Sequence, residues 1–286
     1  MSVKFGVIGG TGLYEMPGIE ELHESEVKTP FGDPSDKLIS GRYHGVPVVF
    51  LPRHGRGHRF MPTAVPYRAN LFALKSLGVT HVISVSACGS LKEELRPGDV
   101  VVIDQFVDRT RHRDDSFFGQ GLVAHVSFAD PICPCLAKDL YDTAGELGIP
   151  AHWKGTYLCM EGPQFSTRAE SLLYRSWGMD VIGMTNLTEA RLAREAELHF
   201  ATLAMVTDYD CWRTHDADVD INDILRVMAQ NSDNAKKIIG AVIQKNRAAE
   251  TCGCAAAMAG AIVTDPKRIP ATLKADLALL IGKYVK

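Results

Sequence analysis

Short apolar runs rich in valine and isoleucine alternate along this chain with stretches whose apolar residues recur at helical spacing. The runs predict strands at 3–8, 37–42, 46–52, 80–86, 99–105, 155–160, 180–184 and 198–206. The helically spaced stretches predict helices at 64–77, 136–147, 167–177, 188–197, 221–246 and 271–284. In the second of these, Leu136, Leu140, Ala144 and Leu147 share one face, Gly148 suits a left-handed cap, and Pro150 stops the helix. The third opens on a capping box, Thr167-Arg-Ala-Glu170. Strands alternating with helices predict an α/β fold, a central mixed sheet flanked by helices. There is no internal repeat. The expected organisation is a single domain over 1–286, in which 247–286 forms a C-terminal appendage ending in a helix with Leu273, Leu277, Leu280, Ile281 and Tyr284 on one face.

Composition narrows the function classes. With 286 residues and 46% hydrophobic content, the chain has material for a substantial core. The 31 basic and 34 acidic residues are well mixed, without a basic stripe, which argues against nucleic acid and membrane surfaces as partners. Met1–Ile8 reads as a strand rather than a targeting segment, so the expected location is cytoplasmic. The seven cysteines include two C-x-C pairs, Cys133/Cys135 and Cys252/Cys254. That spacing is narrower than the C-x₂₋₄-C of structural zinc, which favours a redox-labile pair at 252/254 over a four-thiolate metal site.

The candidate chemistry gathers where strands end. Thr207-Asp208-Tyr209-Asp210 follows the apolar run 200–206, placing two carboxylates at a sheet rim; alternation in extended chain would point both the same way. Gly9-Gly10-Thr11-Gly12 is a turn whose amides and hydroxyl could converge on an anion, or simply a strand-to-helix turn. Arg53-His54-Gly-Arg56-Gly-His58 and Ser86-Ala87-Cys88-Gly89-Ser90 follow other strands and add donors. Phe165 can stack on a planar ring, and Met184-Thr185 ends another strand. An anion site, an aromatic platform and two acids suggest phosphate plus a nitrogen heterocycle.

These motifs, with Thr29-Pro-Phe-Gly-Asp-Pro-Ser35, Glu161-Gly-Pro163, Arg168-Ala-Glu170 and the extension of 207–210 through Cys211-Trp212, resemble the trimeric purine nucleoside phosphorylase and methylthioadenosine phosphorylase family from residue 4 to about 246. The resemblance implies the nucleoside phosphorylase fold, with a sheet that is partly barrel-like, and a homotrimer. It implies phosphate binding by Thr11, Arg53, His54, Ser86, Ala87 and Thr185. Met184 would meet the ribose, and Phe165, Ser166 and Thr207 would line the nucleoside site. Asp208 and Asp210 would bind the purine and carry the catalysis. Ile221, Ile224 and Leu225 would form a recess for a 5'-methylthio group, reached by His125 of a neighbouring subunit.

The implied reaction is phosphorolysis of methylthioadenosine to adenine and 5-methylthioribose 1-phosphate, in purine and methionine salvage, with phosphate as co-substrate and neither metal nor organic cofactor. Asp208 would deliver a proton to N7 and Asp210 would support it at the amino group. Members acting on 6-oxopurines usually place Asn where Asp208 stands, so aspartate favours a 6-aminopurine. Gln164 departs from the Arg common there, and Thr188 from a Pro. Alternatives are a phosphorylase of 6-oxopurine nucleosides or methylthioinosine, and, from a different class, a non-catalytic nucleoside-binding protein.

Overall fold

The computed structural model describes residues 3–10, 13, 15–213, 221–245 and 252–285, without the side chains of 221–225. The centre of the sheet is β1 (Phe5–Gly9), buried throughout because parallel strands β4 (Val46–Pro52) and β5 (His81–Ser90) flank it on both sides. Outward from β4 lie β3 (Leu38–Tyr43) and β2 (Ile19–Ser25), both antiparallel to their neighbours. On its other edge β5 pairs in parallel with β11 (His199–Asp208) from His81 to Gly89. Past the reach of β1, the last residues of β5, Gly89 and Ser90, pair antiparallel with β10 (Val181–Gly183).

The sheet therefore forks at β5, and its two branches meet again. From β11 the pairing runs to β6 (Val100–Val102). Two residues later the chain becomes β7 (Gln105–Arg109), which pairs with β9 (Thr156–Met160) and through it with β10. A short β8 (Ala151–Trp153) extends β9 backwards against β6. Gly155 bridges both ribbons at this joint, its carbonyl accepting from the backbone N–H of Asp104 at 3.1 Å. The circuit β5, β11, β6–β7, β9, β10 makes part of the sheet barrel-like, as the resemblance implied.

Helices cover the sheet. They are α1 (Tyr67–Ser76), α2 (Pro134–Glu146), α3 (Arg168–Ser176), α4 (Asn186–Glu195) and α5 (Ile221–Lys245), followed by the short α6 (Ala271–Asp276) and α7 (Ala278–Ile281). The capping box of α3 is present as predicted, with Thr167 accepting from the Glu170 N–H and Glu170 from that of Thr167. Four expectations need correction. The helix predicted from 64 starts at Tyr67, because Pro66 restricts the residue before it and the preceding segment forms a separate 3₁₀ turn. The strand predicted over 99–105 is two strands with a bend between them. The polar β2 and the short β8 carry too little apolar alternation to be seen. The terminal helix over 271–284 is broken at Leu277, whose backbone leaves the helical region at φ −99°, ψ 9°.

Leu277 nevertheless stays buried with Leu280 and Ile281, and the appendage packs into the same core as the sheet. Glu197 anchors it through the Met258 N–H at 3.0 Å, Lys283 and the Tyr284 hydroxyl. Orientation of α7 is testable because Leu280 is 3% exposed while its neighbour Leu279 is 41% exposed. Leu280→Ala should destabilise the protein by about 2–5 kcal/mol and Leu279→Ala by under about 0.5 kcal/mol, measured by urea unfolding.

Candidate active site

The fork at β5 opens a cavity of about 710 Å³, a size suited to a small-molecule ligand. Its walls come from strand ends: Arg53 and His54 after β4, Ser86, Ala87 and Gly89 on β5, Met184 and Thr185 after β10, Thr207, Asp208 and Asp210 at the end of β11. Phe165 stands at its mouth, 82% exposed. Ten of the predicted site residues are thus brought together. Ser166 lies beside them, its carbonyl accepting from the Cys211 thiol at 3.2 Å. His125 is exposed on a separate loop and does not line the cavity of its own chain. Thr11 falls outside the described residues, as do the side chains of Ile221, Ile224 and Leu225. Farther along the same helix, Met228, Ala229, Asn231 and Ser232 form cavity wall.

Arg53 is buried, 4% exposed, and does not face the cavity as a bare charge. Its Nε donates to Glu189 Oε1 at 2.5 Å and its Nη2 to Glu189 Oε2 at 3.0 Å. Nη2 also donates to Ser84 Oγ at 2.7 Å and Nη1 to the Val85 carbonyl at 2.9 Å. A guanidinium has five N–H groups, so these bonds leave one, on Nη1, for a ligand. The ion pair is itself held. Ser84 Oγ donates to Glu189 Oε2 at 2.7 Å and accepts from Asn186 Nδ2 at 2.8 Å, while Asn186 Oδ1 accepts from Thr202 Oγ1 at 2.8 Å. Glu189 was not legible as a site residue, since a glutamate in the first turn of a helix ordinarily serves the helix dipole, and its neighbours Thr188 and Arg191 are polar too.

His54 is neutral in this setting. Burial, with the neighbouring Arg53 and His58 charges, brings its pKa down to about 4 despite the bond its ring makes to the Phe60 carbonyl. That bond, from Nδ1 at 2.7 Å, requires the hydrogen on Nδ1, so Nε2 is an acceptor. The imidazole stacks on His58 at a centroid distance of 4.2 Å. The sequence reading made His54 a donor; its tautomer makes it a group that accepts from a protonated oxygen.

Ser86 is positioned by Tyr157, whose hydroxyl lies 3.0 Å from its Oγ. Burial pushes the Tyr157 pKa well up, so the phenol stays protonated. Only glycine permits this arrangement at 183, because a Cβ there would lie 1.8 Å from the Tyr157 hydroxyl oxygen. Tyr157, Gly183 and Glu189 support the site from behind and were missed for the same reason: their partners are distant in sequence.

The two aspartates reach the cavity by a turn rather than by strand alternation. β11 ends at Asp208, and Asp210 follows with φ 49°, so the extended geometry expected over 207–210 is corrected to a tight turn. Asp208 Oδ1 accepts from the Asp210 N–H at 2.7 Å and Oδ2 from Thr207 Oγ1 at 2.7 Å. Both oxygens of Asp208 thus accept bonds that suit a carboxylate. Asp210 differs. Burial raises its pKa, the Asp208 charge adds to the rise, and nearby serine hydroxyls oppose it. Its Oδ2 makes no hydrogen bond among the described residues. Asn231 Oδ1, also in the cavity and buried, is likewise without a partner there, although its Nδ2 donates to the Val206 carbonyl at 2.8 Å. This asparagine was missed because its helix reads as an ordinary amphipathic one.

The four-thiolate arrangement weighed for the C-x-C pairs is not the one formed. The sulfur atoms of Cys133, Cys252 and Cys254 gather around His199, with histidine in the place expected for Cys135.

Protonation of His54 can be measured. Its folded pKa near 4 lies below the ordinary value of about 6.5, so between these values the unfolded chain binds the extra proton. The stability it contributes is complete above about pH 6.5 and is lost as pH falls toward 4. Calorimetric unfolding near pH 5.3, in buffers of different ionisation enthalpy, should show about one more proton taken up by the native sequence than by His54→Gln. Equal uptake would mean that His54 is already charged in the folded protein.

Comparison with known proteins agrees with this geometry. The model of the phosphorylase superfamily matches residues 4–244. An S-methyl-5'-thioadenosine phosphorylase from Geobacter sulfurreducens is 54% identical over the whole of both chains, and one from Koribacter versatilis is 53% identical over 99% of this chain and 97% of its own. Among solved structures, a methylthioadenosine phosphorylase from an Antarctic soil metagenomic library superposes with a TM-score of 0.93 at 45% identity, covering 98% and 99% of the two chains. The Schistosoma mansoni methylthioadenosine phosphorylase in complex with adenine superposes at 0.78 with 34% identity, covering 98% of each. The chain belongs to the phosphorylase superfamily and, within it, to the methylthioadenosine phosphorylases.

Proposed function

We propose that this cavity performs phosphate-dependent cleavage of S-methyl-5'-thioadenosine, releasing adenine and 5-methylthioribose 1-phosphate. The observation that carries the proposal is the joining, in one cavity, of anion-binding groups at Arg53, His54, Ser86 and Thr185 with the carboxyl pair Asp208 and Asp210. Phosphate would receive the remaining Arg53 N–H, the Ser86 and Thr185 hydroxyls and the Ala87 backbone N–H. A protonated phosphate oxygen would donate to His54 Nε2. Thr11 completes this set by resemblance. The bound oxyanion stabilises positive charge developing on the ribose and then captures it. The C1'–N9 bond breaks and a C1'–O bond to phosphate forms.

The base leaves as neutral adenine when a proton reaches N7. The carboxyl pair supplies that proton, and burial raises the pKa of its member Asp210. As the resemblance implies, the two work as a unit, with Asp208 accepting hydrogen bonds at both carboxyl oxygens. Phe165 stacks on the purine, Ser166 and Thr207 close the base pocket, Met184 meets the ribose, and α5 carries the 5' recess through Ile221, Ile224 and Leu225. His125 serves the neighbouring site in a homotrimer, a role that fits its exposure away from its own cavity. The reaction needs neither metal nor organic cofactor. No described helix is long and apolar enough to cross a membrane, and the enzyme acts on small molecules in the cytoplasm.

Adenine release from methylthioadenosine and adenosine, assayed side by side with and without phosphate, tests this reading. Release should require phosphate and favour methylthioadenosine; in a parallel assay of base release, a higher kcat/KM for methylthioinosine than for methylthioadenosine would transfer the assignment to 6-oxopurines. Asp208→Ala should lower kcat by roughly 10²–10⁴ while substrate binding is less affected. Near-normal turnover in that variant would remove Asp208 from the acid pair.

A further inference from the structure

At the far end of β11 from Asp208, residues from three separate stretches of the sequence meet: Cys133 just before α2, His199 at the first position of β11, and Cys252 and Cys254 in the appendage. None of them lines the cavity. Cys133, His199 and Cys254 are buried and Cys252 is half-buried. Their four potential ligand atoms all lie within 4.8 Å of one another.

Three of the separations lie within about 0.4 Å of the edges of a tetrahedral zinc site. Cys133 Sγ is 3.5 Å from Cys252 Sγ and 3.5 Å from His199 Nδ1, which is itself 3.1 Å from Cys252 Sγ. A tetrahedral zinc ion with Zn–S of about 2.3 Å and Zn–N of about 2.0 Å requires S···S edges of about 3.8 Å and S···N edges of about 3.5 Å. A disulfide would need sulfurs about 2.05 Å apart, and none of the seven cysteines forms one.

We propose that Cys133, His199, Cys252 and Cys254 form a structural Zn²⁺ site that fastens the C-terminal appendage to the barrel. Three thiolates and one imidazole nitrogen are a closed ligand set for zinc, whereas magnesium and calcium demand oxygen donors. Ligation releases the three thiol protons to solvent. Two of the ligands are preset by the fold. The Cys133 N–H donates to the Phe200 carbonyl at 2.8 Å, tying the first cysteine to the strand that carries the histidine. His199 stacks on His81 with ring centroids 4.4 Å apart and 14° between planes, which holds its Nδ1 toward the sulfurs. The remaining two ligands arrive with the appendage, so the ion closes a loop of more than a hundred residues between Cys133 and Cys252.

The clamp also bears on the loop with His125. Beyond Cys254 the appendage pairs with that loop: the His125 N–H donates to the Ala261 carbonyl at 2.8 Å, the Val263 N–H to the Val123 carbonyl at 3.0 Å, and the Val123 N–H to Thr264 Oγ1 at 2.8 Å. Fixing 252 and 254 therefore fixes the backing of that loop. The zinc proposal stands on the cluster alone and does not depend on the reaction assigned to the cavity.

The test is elemental analysis of the full chain expressed with zinc and purified under reducing conditions, together with cobalt substitution. About one zinc per chain is expected, with intense tetrahedral d–d bands and a thiolate-to-cobalt charge-transfer band in the cobalt form. Cys135→Ser should retain the metal, whereas Cys252→Ser/Cys254→Ser and His199→Asn should lose it and show a lowered unfolding midpoint. If those variants do not fold, the metal content and cobalt spectrum of the unmutated protein and of Cys135→Ser still decide. Metal-free protein in which all seven thiols titrate after unfolding would overturn the proposal. Metal-free protein with five titrating thiols would overturn it in favour of an oxidised cysteine pair.

Discussion

The buried pair between Arg53 and Glu189 is the constraint around which the site is built. It joins the end of β4 to α4, and through Ser84, Asn186 and Thr202 it reaches the middle of β5 and β11. Both charges lie almost wholly out of water, so removing either partner would strand the other at a cost of about 3–5 kcal/mol. The pair also changes the electrostatics of anion binding. Glu189 offsets the Arg53 charge and His54 is neutral, so these groups present an anion with directed hydrogen bonds more than with net positive charge. Recognition then depends on geometry, which explains why so much of the surrounding structure fixes donor positions.

That dependence is visible in the layer behind the cavity. Ser86 can present its hydroxyl because Tyr157 holds it, and Tyr157 can occupy its place because residue 183 has no side chain. At the acidic wall, the Asp210 turn brings its own N–H onto Asp208, so a single local bond orients the first carboxylate. Asp210 itself is set by its surroundings: burial raises its pKa while serine hydroxyls from α3 and the loop before it oppose the rise.

Much of this was legible in the sequence because the functional groups lie in short contiguous motifs at strand ends. Arg53-His54, Ser86-Ala87, Met184-Thr185 and Asp208/Asp210 could each be located by an apolar run followed by polar residues, and the sheet carries them to one place. Glu189, Tyr157, Gly183 and Asn231 were not legible, since each works through a partner from another element and none interrupts a local pattern. The same logic separates the fold's readable and unreadable parts. Buried strands such as β1 announce themselves by composition, whereas β2 is an exposed polar strand defined by its pairing with β3. The cysteine cluster combines both cases: C-x-C spacing marked its sulfurs, but the histidine that completes it belongs to a strand whose sequence reads only as core.

The fork at β5 has a consequence for how the molecule comes into being. The two strands that create the cavity, β5 and β11, begin pairing at His81 and His199, so a long intervening segment must be organised before they can zip together. Closing such a loop is entropically late, and the cavity exists only once it has closed. A nascent or partly folded chain can therefore own a nearly complete first sheet, from β2 through β1, while possessing no binding site at all. Ligand recognition is in this sense a report that the long-range topology has been completed, not a property any local segment can display on its own.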